Sequence, residues 1–478
     1  MFSNLRHALT CTDPHRFAPA ARRPQDRAVV LGGSLAGLLA ARVLADHYRE
    51  VVVVDRDDLD ADLDGPRRGV PQARHTHGLL VSGAEAIERI IPGFTRSLLA
   101  RGATRADILA RSRWSMGGGT LCRNDSGLFG LLASRTLIES EVRRRVAATP
   151  GVVFRGRHDI AGLLASPDRE RVVGALVVPR DGRPSYDLPA DLVVDATGRG
   201  SRAPLWLRSL GFQAPPVTTV DAGITYVTRI FEARPGVLDD LDGDVVGVQP
   251  PSRRGGVALR QEGGRWTVTL TGCFGEQPPT DLAGFADFAA SLPTPGLAEI
   301  VEQCPPVGEA ETFRYPASRW QHWERLDRRP AGLVVVGDAV CSFNPVYGQG
   351  MSSTALQIER LRDLLADDVP DLAGRCAAAF AEVAATPWAL ATGKDRRFPG
   401  LPRKPLPERL LDRYLDRLLS VAGQDPAVTL AFGRVLNLLA APPSLLAPAV
   451  AWRVLGPSSW GRRTADTIVT RRPVTVPG

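Results

Sequence analysis

Residues 27–55 read Arg-Ala-Val-Val-Leu-Gly-Gly-Ser-Leu-Ala-Gly-Leu-Leu-Ala-Ala-Arg-Val-Leu-Ala-Asp-His-Tyr-Arg-Glu-Val-Val-Val-Val-Asp. The run ending at Leu31 predicts a buried strand. Gly32 to Gly37 predicts a tight turn, and Leu38 to Tyr48 a helix with apolar residues at helical spacing. Val51 to Val54 predicts a second strand covered on both faces, as parallel strands are. Such a unit binds a dinucleotide when the turn has a glycine for tightness, a small residue at the phosphate and a glycine where helix meets strand. Gly32, Ser34 and Gly37 fill those places. Gly33, Leu35 and Ala36 lie in the same turn and helix start, where backbone N–H groups face an anion. Asp55 stands at the strand end, where an acid holds an adenosine ribose.

Outward from this unit, Ala84 to Ile91 predicts a helix, residues 104–133 are irregular, and Ser134 caps a helix running to Ala148. Short strands follow at 152–155, 160–165 and 171–178, and a buried one at 191–195. The β-rich runs 220–231, 256–261 and 265–272 predict an antiparallel sheet. Parallel-type pattern returns at 332–336 and leads into a helix near 352–365. The expected fold is α/β (α+β overall): a Rossmann-like cofactor domain from 28–215 and 326–385, an inserted β-sheet substrate domain at 216–325, and a C-terminal helical region at 386–478. Residues 1–27 read as a mobile extension without a signal peptide.

The returning strand opens a second site. Gly337-Asp338 ends it, and Pro345 and Gly348-Gln349-Gly350-Met351 open the next helix. Asp338 suits a ribityl hydroxyl. The helix start suits the electron-rich edge of a flavin ring.

Together these stretches resemble the class A flavoprotein monooxygenases, the para-hydroxybenzoate hydroxylase-like superfamily. The turn with Asp55-Arg56 is similar to the family's first FAD motif. Arg68-Gly69-Val-Pro-Gln72 is similar to its flavin-contacting arginine loop, and Asp195-Ala-Thr197-Gly198 to its middle motif. Gly337-Asp338 through Met351 is similar to the motif whose aspartate binds the FAD ribose and ribityl region. Arg135 sits where the family often has an FAD contact. The middle motif departs from the usual Asp-Gly by an inserted Ala-Thr, so no nicotinamide contact is assigned there. Val70 to His77, Phe343 to Met351 and Trp388 to Gly400 further resemble the branch containing polyene epoxidases of polyether biosynthesis.

The resemblance implies FAD, reduced by NADPH or NADH, with O2 as co-substrate and a flavin hydroperoxide as oxygen donor. The products implied are an epoxide from an apolar polyketide- or terpenoid-like alkene, or alternatively a hydroxylated ring. A non-catalytic FAD-binding partner and an oxygen-independent reductase of prenyl chains stay open. Epoxidation needs no side-chain base; phenol hydroxylation is helped by one. His75 and His77 are the candidate bases, with a structural role favoured. Tyr226, Arg229, Trp266, Phe274, Phe313 and Tyr315 are candidate pocket residues, since alternate residues of a strand share a face.

Composition narrows the rest. The chain has 478 residues and a net charge of +7, almost all of it from scattered arginine; Lys394 and Lys404 are its lysines. No basic stripe is interleaved with aromatics, which argues against nucleic acid. The cysteines at 11, 122, 273, 304, 341 and 376 form no close pair, which argues against a disulfide framework, a zinc site or a redox dithiol and fits a cytoplasmic protein. No apolar run suffices for a transmembrane helix. Peripheral membrane contact through Ala427 to Leu455 is weakly supported. A halogenase is disfavoured because Trp320 and Trp323 do not make that chemistry's tryptophan motif, and both lysines lie in the tail.

Overall fold

The computed structural model describes residues 27–59, 65–345, 348–398 and 405–456. Most of the expected N-terminal extension, the stretch beyond 456, Val346, Tyr347, Pro399 and Gly400 lie outside them.

The chain opens with β1 (Arg27–Leu31), α1 (Leu35–Leu44) and β2 (Glu50–Val54), followed by β3 (Ser112–Met116), α2 (Arg135–Ala147), β4 (Val152–Arg155) and β5 (Leu192–Asp195). Next come β6 (Ile224–Glu232), β7 (Gly243–Val246), β8 (Arg254–Gln261), β9 (Arg265–Gly272), α3 (Leu282–Ala290), α4 (Gly296–Gln303) and β10 (Pro306–Tyr315). The last are β11 (Leu333–Val335), α5 (Gly350–Ala366), α6 (Leu372–Asp395), α7 (Leu406–Ala422), α8 (Pro426–Leu436) and α9 (Pro448–Leu455). No helix among the described residues is long and apolar enough to cross a membrane.

Five strands form a parallel sheet in the order β11-β5-β1-β2-β4. The valines of β1, β2, β5 and β11 are buried on both faces, which explains their unbroken runs. Val54, Leu31, Asp195 and Val335 lie in one row across it. The chain therefore leaves four neighbouring strands along a single edge, at their carboxyl ends. Ligands of open α/β sheets bind at such an edge.

A second sheet runs β10-β6-β9-β8-β7-β3, with Gly119–Thr120 at its far edge. β3 comes from the stretch read as irregular and pairs parallel with β7. Its sequence, Ser-Arg-Trp-Ser-Met, has charge and hydroxyls where an apolar run would have announced a strand; pairing with β7 supplies the stability. One face of this sheet packs Val227, Phe231, Trp266, Val268 and Leu270 against α3 and α4. The C-terminal helices α7 to α9 form another core with Met116 and Leu121.

Candidate active site

The first turn is built from backbone. Gly32 has φ +99°, and a Cβ there would lie 2.6 Å from Ala196 O; at Gly37 it would lie 1.8 Å from Gly32 O. Only glycine permits both approaches. Ser34 precedes α1 but makes no side-chain cap. Its hydroxyl instead donates to Glu139 Oε2 at 2.7 Å. The N–H groups at the start of α1 thus stay available to an anion.

Asp55 closes β2. Its Oδ2 accepts from the Gly33 N–H at 2.5 Å and Oδ1 from the Asp57 N–H at 2.8 Å. These bonds fix the carboxylate beside the turn and leave lone pairs for ribose hydroxyls. Arg56 is exposed.

In the arginine loop two neighbouring arginines face opposite ways. Arg68 and Gly69 are exposed, while Arg67 turns inward with a side chain only 7% accessible. Arg67 donates to Glu139 Oε1 through Nε at 2.9 Å and Nη2 at 2.7 Å, and to Gly33 O at 3.0 Å. Asp55 and Asp57 lie 3.5 Å from its Nη1. Gly69 is held through its N–H by Asp57 Oδ2 at 2.8 Å, and Gln72 is half-buried. The physical reason is local charge: the carboxylates of Asp55, Asp57 and Glu139 attract the arginine whose backbone position reaches them. Glu139 also accepts from Arg135 Nη2 at 3.1 Å, and the same Nη2 donates to Ser34 Oγ at 2.9 Å. Burial raises the Glu139 pKa, but Arg135 and Arg67 outweigh it and hold the carboxylate below its usual range. Arg135 Nε is buried without a partner.

The middle motif is organised by Asp195, which is fully buried. Thr197 donates to its Oδ1 through N–H at 2.9 Å and hydroxyl at 2.6 Å, and Ser201 donates to Oδ2 at 2.5 Å. The Thr197 side chain is thereby engaged, leaving the peptide chain of 197–198 as the ligand surface. Burial raises the Asp195 pKa. Arg199, which the motif reading passed over, donates to Ala317 O at 2.5 Å, Ser342 Oγ at 3.0 Å and the Tyr315 hydroxyl at 3.2 Å. Its position after a glycine was the available signal.

The third motif folds onto the first. Gly337, at φ +66°, has no room beyond a Cβ 3.1 Å from the Ala36 Cβ, and its N–H donates to Gln357 Oε1 at 2.8 Å. Asp338 is exposed at the strand end. Desolvation raises its carboxyl pKa against the pull of Arg135 and Arg199. Pro345 is exposed. A Cβ on Gly198 would meet only Asp338, at 3.9 Å, and on Gly348 or Gly350 nothing within 4 Å. Gln349 donates to Leu436 O at 2.9 Å, and Met351 packs into the main core. Among these, the helix backbone at Gly350 and Met351 is what can face a ring; α5 starts without a side-chain cap.

The mixed sheet presents its other face to this edge. On β6, β9 and β10, Tyr226 pairs with Thr271 and Phe313, Thr228 with Thr269 and Glu311, and Ile224 with Tyr315. Tyr226 donates to Asn344 Oδ1 of the third motif at 3.1 Å. Phe274 stacks near Phe398 with centroids 4.6 Å apart. Trp266 and Arg229 depart from the expectation. Both belong to the opposite parity: Trp266 is fully buried against the α3–α4 layer, and the Arg229 guanidinium lies 6.0 Å from the Phe285 ring. A one-residue change of parity moves a strand side chain to the other face.

His75 and His77 stand between loop and sheet. His75 Nδ1 is 2.7 Å from Thr228 Oγ1, and its ring lies 5.5 Å from that of Phe313. His77 Nδ1 donates to His75 O at 2.8 Å. Burial pushes both imidazoles down to about 4, so both are neutral at pH 7.

Three observations fit a flavin dinucleotide: an uncapped helix start behind a glycine turn, a buried Arg135 Nε without a partner, and open space at Gly348 and Gly350. The comparisons agree in fold. No protein-family model matches the chain. It is 34% identical over 436 residues to "Protein Rv3254" of Mycobacterium tuberculosis, spanning 87% of this chain and 90% of that one. Among solved structures it is similar to p-nitrophenol 4-monooxygenase PnpA from Pseudomonas putida (18% identity, 86% of this chain and 99% of that chain, TM-score 0.60). It is likewise similar to a flavoprotein/dehydrogenase from Cytophaga hutchinsonii (14% identity, 90% and 96%, TM-score 0.64). The architecture is therefore that of FAD-binding monooxygenases, with helices at the C-terminus.

Proposed function

The chain belongs to the family of Protein Rv3254 of Mycobacterium tuberculosis, and from its fold and glycine-lined cradle we propose that it is an FAD-dependent monooxygenase. In this reading it uses NADPH or NADH and O2 to epoxidise an alkene of an apolar, polyketide- or terpenoid-like substrate. When bound, FAD accepts a hydride from the nicotinamide and activates O2 for transfer of one oxygen atom.

The chain's own residues then bind, orient and exclude water. Asp55 holds the adenosine ribose, Arg135 and the start of α1 hold the pyrophosphate, Asp338 holds the ribityl chain, and the start of α5 faces the ring. The mixed sheet roofs the gap with Tyr226, Phe313 and Tyr315 beside Thr228, Thr269 and Thr271, an aromatic wall edged with hydroxyls that favours a largely hydrocarbon substrate and keeps water away from the reacting atoms.

One observation carries the preference for an alkene. The imidazoles and phenols of that wall and its loop, His75, His77, Tyr226 and Tyr315, are neutral at pH 7. Burial holds His75 and His77 near 4 and pushes Tyr226 and Tyr315 upward. Neither of the two candidate imidazoles titrates near neutrality to take a phenolic proton, and epoxidation requires no base. The test is NADPH-supported turnover under labelled O2 with a panel of polyenes and phenols. One labelled oxygen in an epoxide supports the proposal. Label in a phenol product favours ring hydroxylation. FAD binding without O2 uptake favours a non-catalytic partner.

A further inference from the structure

A chain of hydroxyls runs from His75 into the sheet. His75 Nδ1 lies 2.7 Å from Thr228 Oγ1, Thr228 Oγ1 lies 2.6 Å from Thr269 Oγ1, and Thr269 Oγ1 lies 2.7 Å from Thr76 Oγ1. The far end has a fixed sense. Thr76 Oγ1 is 3.2 Å from Thr267 O, which can only accept, and the Thr76 N–H donates to Thr269 Oγ1 at 3.2 Å. A hydroxyl has one proton and two lone pairs. If Thr76 donates to Thr267 O, Thr269 donates to Thr76, Thr228 donates to Thr269, and Thr228 must accept from His75. Every group is then satisfied. The reverse sense leaves Thr267 O without the Thr76 proton, so the forward sense prevails.

His75 is consequently the Nδ1–H tautomer, with a lone pair on Nε2. That atom has no hydrogen-bond partner among the described residues and is not fully buried. Its ring faces Phe313 and Tyr226 on the substrate side, with centroids at 5.5 and 6.4 Å. His77 is also Nδ1–H, because its partner is a carbonyl, but it feels the Arg135 charge and so stands toward the phosphate side.

We propose that His75 Nε2 is a specificity-determining acceptor that reads a hydroxyl or N–H donor on an otherwise apolar substrate, with Thr228 as the positioning residue that fixes its tautomer. This rests on the monooxygenase reading of the same site. Water satisfies Nε2 until substrate displaces it; a substrate without a donor strands the lone pair in an apolar gap.

The test uses FAD-loaded protein and two probes, farnesol and its methyl ether, titrated by the change in flavin absorbance. Nitrogen-15 histidine spectra report the tautomer. The expected result is a neutral Nδ1–H His75 at pH 7 and farnesol binding about tenfold tighter than the ether. Thr228→Val should abolish the tautomer preference and the discrimination, and Thr228→Ser should restore both. An Nε2–H His75, equal affinity for the probes, or binding of neither overturns the proposal. NADPH-dependent O2 uptake is read separately: discrimination without uptake removes the monooxygenase reading alone, and uptake without discrimination removes the His75 role alone.

Discussion

Arg67 and Glu139 meet through two hydrogen bonds, Nε at 2.9 Å and Nη2 at 2.7 Å, with both side chains under a tenth accessible. The pair joins the arginine loop to α2, and the Nη2 bond to Gly33 O ties both to the phosphate turn. Arg135 and the Ser34 hydroxyl still reach Glu139 when Arg67 is removed, so the cost stays below that of a stranded buried charge, at about 1–3 kcal/mol. Arg67→Ala should therefore lower stability by about that amount and weaken FAD binding. The exposed Arg68→Ala should change stability by less than about 0.5 kcal/mol. Urea denaturation and FAD titration of both variants check this; equal effects would show that the loop uses Arg68 instead.

Glu141 lies one turn-facing step away on the same helix, fully buried, between Arg144 at 2.6 Å, Arg145 at 2.9 Å and Arg101 at 3.2 Å. Burial raises its pKa, but the Arg144, Ser97 and Arg145 hydrogen bonds prevail and hold it down to about 2. An unfolded glutamate titrates near about 4.3. The unfolded chain thus binds more protons between those values, so this contribution is complete above about 4.3 and is lost as pH falls toward 2. Glu141→Gln should flatten the acid limb of a stability–pH curve measured by denaturant midpoints. An unchanged limb would mean other carboxylates govern it.

Gly37→Ala should abolish FAD binding. The new Cβ would lie 1.8 Å from Gly32 O, a backbone atom that cannot rotate away. The turn must open, and opening it moves the start of α1 from the anion. Flavin content after reconstitution is the measurement, with Gly200→Ala as control, since a Cβ there meets nothing within 4 Å.

Trp266→Ala should cost about 3–5 kcal/mol, because a fully buried indole leaves a cavity between the sheet and α3–α4. Its effect on probe affinity should be slight in comparison, since the residue faces away from the gap. A large affinity change with little loss of stability would return Trp266 to the pocket.

Much of this was legible from residues alone. The valine runs and the glycine turn announced β1, α1 and β2, because burial on two faces and a tight backbone leave few alternative sequences. The end of β5 and the Gly337-Asp338 strand end were legible for the same reason. Which of the neighbours Arg67 and Arg68 points inward was not, since it depends on carboxylates brought from Asp55, Asp57 and Glu139 by the fold. Nor was the parity of Trp266 and Arg229: alternation states which residues share a face, while only the packing of α3 and α4 decides which face meets the cofactor edge. The threonine chain behind His75 escaped notice because Thr76, Thr228 and Thr269 are β-formers individually and form a wire only through the pairing of β6 with β9.

The row Val54–Leu31–Asp195–Val335 has a consequence for biosynthesis. The sheet edge is assembled from segments that leave the ribosome far apart in time, and β11 and the start of α5 emerge last. A nascent chain stopped before residue 333 would possess the glycine turn and Asp55 yet lack Asp338 and the start of α5. Contacts of such wide sequence separation also make folding slow. Capture of flavin therefore reports that synthesis has passed β11, making the cofactor a marker of completed assembly as well as a reagent.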